Sequence, residues 1–527
     1  MKRLLINITV LFLLAGTFSS CKKRIEDDYQ DPEKTADGSL GKLLSGMYLN
    51  KRIHPSYWDY YTFVMPTLAA YSQTVATAPS TSMYVPSLDY SEGRWTDFYT
   101  GSTGTDYNYN GPGILSNYRE MQTTYNAMTE AQQAEYKVFM KCAEVVLYDQ
   151  TAQLVDLWGD VPFFQAGALN TESRNTYYAP FDDAKGLYDT MITHLKDLNT
   201  YFDTASVSTV VSSELKKQDV VLSGNLTGWQ RYANSLRLRL LMRISNVNEA
   251  TAKTEVTTML NDPSTYPLVE SNSQNVLFNE SPTTVKSDLA DVFKDFPFAP
   301  AYLLDTVMAA NNDPRTEVFW DPDATNGYKG FPVGGTTADY ENRGYAVYDS
   351  ATFMYNYNLP GVIMTASEVS FLKAEAYERW SLGSAQTAYE TGITQSISFY
   401  YGLNQSIILK DNAPISRSSL ATPDAAAIAA YLAMSDIAYS GTTTEKLAKI
   451  YTQKWEHFFV LQAGQAWAEI RRTGYPVLHF ATANRSDAAQ PPVRLLYPST
   501  EKLYNSANYS AVSAKDTRDT KVFWDIN

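Results

Sequence analysis

Between residues 131 and 157, Val138, Cys142, Val145, Tyr148, Ala152 and Val155 recur at intervals of three and four, laying one apolar stripe along a helix. Such a helix is stable only when the stripe is covered, so this chain must fold by packing helix on helix or helix on sheet. The rest of the sequence supplies helical partners. Over 181–199, Phe181, Ala184, Tyr188, Met191, Leu195 and Leu198 keep the same spacing, and Asp182-Asp183 suit the positive end of the helix dipole. Residues 227–245 open on Thr227-Gly228-Trp229-Gln230, which reads as a capping box, and turn Trp229, Ala233, Leu236, Leu240 and Ile244 inward.

A second box, Thr365 with Glu368, comes with Met364 and Val369 where a hydrophobic staple would pack. That helix runs through Leu372 and Ala376 to Trp380 and ends near Gly383; another spans Ser384 to Tyr401. Over 445–472, Leu447, Tyr451, Trp455 and Phe458 face inward, and a short helix follows to Arg471-Arg472, cations suited to its last turn. Gly474 is placed to cap it in the left-handed region, and Pro476 bars its continuation.

The expected fold class is therefore mainly α, built from helix pairs, with few strands and no strict repeat of ~34 residues. Segments 50–113, 262–300, 312–362 and 474–527 lack strong periodicity. Their aromatic content argues against disorder, so they are expected to form a long-loop, irregular face.

The N-terminus predicts export. Lys2 and Arg3 precede the apolar run Leu4–Ala15, which is too short to span a bilayer, and Ser19-Ser20 stand directly before Cys21. This reads as a lipoprotein signal peptide over 1–20 with lipid on Cys21, a charged tether over 21–42, and a single folded body over 43–527. No later segment is long and apolar enough to cross a membrane. The formal charge of −14 argues against nucleic acid as a partner. Besides Cys21 there is only Cys142, so no intrachain disulfide is expected, and Cys142 reads as core filler.

Several separated strings resemble the SusD/RagB family of surface nutrient-binding lipoproteins, in its SusD-like branch. They are Leu154-Val-Asp-Leu-Trp-Gly-Asp-Val-Pro-Phe163, Asn312-Asp-Pro-Arg315, Met364 to Ala376, Gln453-Lys-Trp455, Ala466 to Pro476, Arg494 to Pro498, and Phe523-Trp-Asp525. The resemblance implies four tetratricopeptide-like helix pairs as scaffold and an irregular face carrying ligand contacts. It also implies a place on the outer leaflet of a Gram-negative outer membrane. There such a protein caps a SusC-like TonB-dependent β-barrel transporter and delivers oligosaccharide, or peptide, into it.

Glycan capture needs exposed rings for the C–H face of a pyranose, with amide, carboxylate or guanidinium groups for its hydroxyls. Two non-periodic stretches have that composition. Residues 57–109 hold Tyr57, Trp58, Tyr60, Tyr61, Tyr71, Tyr84, Tyr90, Trp95, Tyr99, Tyr107 and Tyr109; residues 320–357 hold Trp320, Tyr328, Tyr340, Tyr345, Tyr348, Tyr355 and Tyr357. From these, Tyr71, Tyr84, Tyr107, Tyr109, Trp320, Tyr328 and Tyr345 are the expected ligand contacts, while Trp158, Trp455 and Trp467 read as scaffold.

Asp321-Pro-Asp323-Ala-Thr-Asn326-Gly327 departs from a calcium loop and reads as a surface turn, so no metal or cofactor is expected. Asp305-Thr306-Val307 and Asp349-Ser350-Ala351 fit a short bacterial O-glycosylation pattern. No zinc, nucleophile-elbow, phosphate-loop or dinucleotide motif occurs, and no catalytic residue is assigned. The expected function is non-catalytic glycan binding. The alternatives are a surface endo-glycosidase with an unrecognised carboxylate pair, since two carboxylates suffice for that chemistry, or a peptide-binding or structural lid of the transporter.

Overall fold

The computed structural model describes residues 39–78, 80, 83–101, 112–168, 178–279, 288–409, 413–417, 419–483 and 486–527. Cys21, the expected signal peptide and the tether as far as residue 38 lie outside them, as do Tyr107 and Tyr109. The longer helices, in chain order, are α1 (Leu40–Tyr48), α2 (Leu88–Tyr99), α3 (Ile114–Asn126), α4 (Glu130–Trp158), α5 (Ala184–Thr204), α6 (Thr209–Gln218) and α7 (Leu226–Arg243). They continue with α8 (Glu249–Asn261), α9 (Ala366–Trp380), α10 (Ala385–Gln405), α11 (Ala425–Leu432), α12 (Thr443–Phe458) and α13 (Ala463–Thr473). None among the described residues is long and apolar enough to cross a membrane.

Helix packs on helix throughout the scaffold: α9 with α10 and with α12, α5 with α7, α1 with α3, α3 with α4, and α12 with α13. The stripe of α4 is buried along its length, including Cys142, which is a free thiol inside the bundle. A reciprocal box between Thr129 and Gln132 starts this helix, and Gly159, with φ of 80°, ends it. The end of α4 gathers distant parts of the chain. Trp158 Nε1 donates to the Leu496 carbonyl at 2.9 Å, and Trp524 Nε1 donates to Asp156 at 2.8 Å. The strings 154–163, 494–498 and 523–525 are thus scaffold held against one another.

Several boundaries differ from expectation. Helix α1 begins inside the expected tether, because Ser39 Oγ accepts the Lys42 amide at 3.2 Å and Leu40 and Leu44 are buried. Helix α7 is capped by Asn225, whose Oδ1 accepts the Gly228 amide at 3.1 Å, rather than by a box at Thr227. At α9, Thr365 caps as expected, but the Glu368 side chain does not return to the cap. It pairs with Arg239 instead, at 2.5 and 2.7 Å.

That pair belongs to a charged interior. Arg239 of α7 also meets Asp149 of α4 at 3.0 Å. Arg472 of α13 meets Glu375 of α9 and Glu469, each at 2.7 Å, and Glu469 also takes Arg243 at 2.6 Å and Lys454 at 2.5 Å. Burial pushes Glu469 up, but the three cations outweigh it and hold its carboxyl well below the usual range. Arg472, expected as a last-turn cation, is therefore fully buried, and Arg471 stacks on Trp467 at 3.8 Å. Gly474 caps α13 with φ of 73°, as its position predicts.

Strands are short. β1 (Val276–Phe278) pairs antiparallel with β4 (Gly361–Met364), and β2 (Trp320–Asp321) pairs antiparallel with β3 (Val347–Tyr348). A Cβ on Gly361 would run into the Ile53 carbonyl, so the turn before residue 57 lies directly on β4. The expectation of irregular chain over 50–113 fails in part. A short α-turn, Tyr57–Asp59, continues as a π-helix over Tyr60–Ala69, and α2 follows. Pro66 has no amide to give the helix, and the wider winding accommodates it.

Candidate functional site

The π-helix is buried except at Tyr61 and at half-buried Pro66, and Trp58 stands in the turn before it. Tyr60, Phe63, Val64 and Leu68 are buried, which leaves Trp58 and Tyr61 outside with exposures of 43% and 39%. Ser56 caps the segment through the Asp59 amide at 3.3 Å, and buried Asp59 pairs with Arg94 of α2 at 3.2 Å. This bond fixes α2 beside the π-helix and brings Tyr90, 38% exposed, edge-on to Trp58 with centroids 6.1 Å apart.

The rings form one continuous platform. Trp58 stacks near Tyr61 at 6.2 Å, Tyr61 stacks on Tyr57 at 5.4 Å, and Phe296 meets Tyr61 edge-on at 6.0 Å. Phe296 comes from a segment that follows the 3₁₀ helix Leu289–Lys294. That helix carries polar groups to the platform's edge. Tyr57 donates its amide to Asp288 Oδ1 at 2.8 Å and its hydroxyl to Asp295 Oδ2 at 2.9 Å. Lys294 pairs with Asp291 at 2.6 Å and lies 5.0 Å from the centre of the Tyr355 ring.

The expected contact residues fall elsewhere. Trp320 is 0% exposed, packed on Tyr348 at 4.8 Å and Phe459 at 5.4 Å. Tyr71 is 1% exposed against Trp467, and Tyr84 is 4% exposed with its hydroxyl donated to the Ala481 carbonyl at 2.7 Å. These three are corrections: each ring is needed to fill the core and has no free face. Tyr345 is half-buried against Phe298 and Phe331, and Tyr328 is half-buried beside Arg417; among the described ring contacts neither meets a platform ring. Trp158, Trp455 and Trp467 are core, as read, and Trp95 is core as well. Ser350 of the second glycosylation pattern is buried, its hydroxyl against Ser416, which removes it as an acceptor; Thr306 of the first is exposed. The 321–327 turn is closed by Asp323 Oδ1, which accepts the Thr325 and Asn326 amides at 3.0 and 2.8 Å.

Residues 66–498 match a SusD-like family model described as starch-binding, associating with outer membrane. The chain belongs to this family. Solved structures agree in fold. A chitin-binding protein aligns with a TM-score of 0.72 at 21% identity, covering 93% of this chain and 100% of that one. A Bacteroidetes SusD-like protein gives 0.71 at 20% identity over 93% and 100%. A SusD homologue from Bacteroides thetaiotaomicron gives 0.67 at 23% identity over the same shares. No curated protein matches the sequence.

In this SusD-like chain the platform's rim carries a tyrosine hydroxyl already given to a carboxylate, Tyr57 to Asp295. Burial and the neighbouring Asp295 carboxylate push the Tyr57 hydroxyl up to about 12. Burial also raises the Asp288 carboxyl from its ordinary value. Sequence reasoning named Tyr57, Trp58, Tyr61 and Tyr90 within its first aromatic segment but preferred other rings. No spacing in this segment marks Trp58 and Tyr61 as outward, because the other residues of 59–70 apart from Pro66 are all buried.

Proposed function

We propose that this SusD-like chain is a non-catalytic, surface-anchored glycan-binding protein that takes up an oligosaccharide on the Tyr57–Trp58–Tyr61–Tyr90–Phe296 platform. The observation that carries this reading is the platform itself: contiguous rings, three of them more than a third exposed, joined by ring contacts and edged by Lys294, Asp291 and Asp295. Stacking supplies contact with sugar C–H surfaces, and the edge supplies hydroxyl partners. The family's described association with outer membrane and the Ser19-Ser20-Cys21 sequence support a lipid anchor at Cys21 and an outer-leaflet position. From there the ligand passes to a SusC-like TonB-dependent transporter.

Affinity electrophoresis of the Trp58→Ala/Tyr61→Ala double variant in gels containing soluble polysaccharides tests the site. Retardation of the wild type in one or more gels, lost in the variant, is the expected result; equal retardation sinks it. Cys21→Ser is expected to release the protein from membranes, and co-purification of a β-barrel transporter with the anchored form tests the partner.

One observation favours the endo-glycosidase reading. Asp288, with its raised carboxyl, and Asp295 both reach Tyr57 beside the platform. New reducing ends on incubation with a bound polysaccharide, abolished by Asp288→Asn, would replace the first reading with this one.

A further inference from the structure

A groove of about 480 Å³ runs over the middle of α4, where α3 and α5 flank it. Lys137, Lys141 and Glu144 come from one face of α4, set in line by spacings of four and three, and His194, Asp197 and Tyr201 come from α5 by the same rule. Arg119 and Gln122 of α3 form the third wall, and Phe164, beyond the cap of α4, closes one end. No ring of the platform lines it.

These surfaces are open. Phe164 is 49% exposed and meets only the edge of Phe163, at 5.4 Å. Lys137, His194 and Asp197 are exposed, and Arg119, Gln122 and Tyr201 are half-buried. His194 Nδ1 is bonded to the Tyr148 hydroxyl at 2.6 Å, which leaves Nε2 for a guest.

Charge sets the groove apart from the rest of the molecule. The chain carries −14 overall, yet the lining holds Arg119, Lys137 and Lys141 against Glu144 and Asp197. Lys141 is cancelled by Glu144, whose two oxygens it bonds at 3.0 and 2.8 Å. Neither Lys137 nor Arg119 meets an acid among the described ion pairs. Lys137 Nζ lies 5.6 Å from the centre of the Tyr201 ring. Arg119 is held by neutral groups alone. Its Nε donates to the Ala166 carbonyl at 3.0 Å, Nη2 to the Phe163 and Phe164 carbonyls at 2.9 Å, and Nη1 to Gln122 Oε1 at 2.8 Å. One N–H of Nη1 is left over among these bonds. Burial lowers the Arg119 guanidinium from its ordinary value, so an incoming anion relieves a charge that the fold leaves unmatched.

We propose that this groove is a second binding site, selective for an acidic oligosaccharide built from uronic acid units. One carboxylate meets the spare N–H of Arg119, and the same sugar covers Phe164, whose carbonyl Arg119 already holds. The chain then runs along α4, where a second carboxylate reaches Lys137 and His194 Nε2 meets a ring hydroxyl. A carboxylate bonded to guanidinium or ammonium gains about twice what a neutral hydroxyl gains there. A neutral chain of the same shape keeps the stacking and loses that gain.

The probe is digalacturonic acid, with galactobiose of the same linkage as the uncharged control, titrated into the mature protein at neutral pH and low salt and followed by saturation-transfer NMR. Digalacturonic acid is expected to bind about tenfold more tightly than galactobiose. Lys137→Glu turns the lining from net positive to net negative and should remove that preference. Phe164→Ala should weaken binding of both sugars, and Trp58→Ala should leave digalacturonic acid binding unchanged. No binding of digalacturonic acid, equal binding of the two sugars, undiminished binding in Phe164→Ala, or an unchanged preference in Lys137→Glu overturns the proposal. Loss of digalacturonic acid binding in Trp58→Ala also overturns it, because the acid would then sit on the platform.

Discussion

The Tyr57 hydroxyl donates to Asp295 Oδ2 at 2.9 Å, a bond between residues 238 positions apart in the chain. It fastens the segment that carries Trp58 and Tyr61 to the segment that carries Phe296. Tyr57→Phe keeps the ring and removes the fastening. One solvent-accessible hydrogen bond contributes about 1 kcal/mol, so glycan affinity should fall by up to about fivefold and the unfolding free energy by up to about 1 kcal/mol. Isothermal titration against the best-retained polysaccharide fragment measures the first, and thermal denaturation the second.

Trp58 and Trp320 should behave oppositely. Truncating Trp58 to Ala removes an exposed ring and should weaken glycan binding by at least about tenfold, the scale of a tryptophan hot spot, with little change in stability. Truncating Trp320 opens a cavity in the core and should cost about 3–5 kcal/mol of stability. Paired urea denaturation and titration would show the contrast. A Trp320→Ala protein of native stability would contradict its buried placement.

Arg239 joins Asp149 and Glu368 in the interior, and Arg239→Met would leave both carboxylates without their cation. Removing one partner from a buried ionic cluster costs about 3–5 kcal/mol, which the urea midpoint should register. A variant with the wild-type midpoint would mean that water reaches these carboxylates.

His457 predicts the acid limit of the fold. The Thr365 hydroxyl, whose oxygen accepts the Glu368 amide, has its proton free for His457 Nε2 at 2.7 Å; Nδ1 then donates to Ser396 Oγ at 3.0 Å. Burial, with Arg315 nearby, holds the imidazole down to about 3. The folded value lies below the unfolded one, so the stabilisation is complete above pH about 6.5 and drains away as pH falls toward 3. Melting temperature should drop over that window, and His457→Gln should flatten the drop. An equally steep fall in the variant would assign it to other groups.

Much of the helical scaffold was legible because its apolar spacing is uninterrupted: the stripe of α4 and those of α5, α9 and α12 are buried as read, apart from Phe181 and Leu447, which are half-buried. The platform was less legible for a physical reason. Its helix is wound as a π-helix around Pro66, which breaks the usual periodicity, so the rings of 57–71 could be counted but not assigned to faces. Tyr71 and Trp58 have similar local composition, yet Trp467 covers one and solvent meets the other, a distinction made by contacts hundreds of residues away. The charged interior was equally hidden. Nothing near Arg472 in sequence announces Glu375, its partner on α9.

That interior also bears on how the chain finds its fold. Arg239 links α7 to α4 and α9, Arg472 links α13 to α9, and Lys454 links α12 to α13. Apolar stripes alone would tolerate a helix docked one turn out of place, at the cost of some packing. Here the same slip would carry a guanidinium past its carboxylate and leave both dry and unmatched. The charges thus act as a key cut into otherwise interchangeable greasy surfaces, admitting one register of the bundle and rejecting its neighbours.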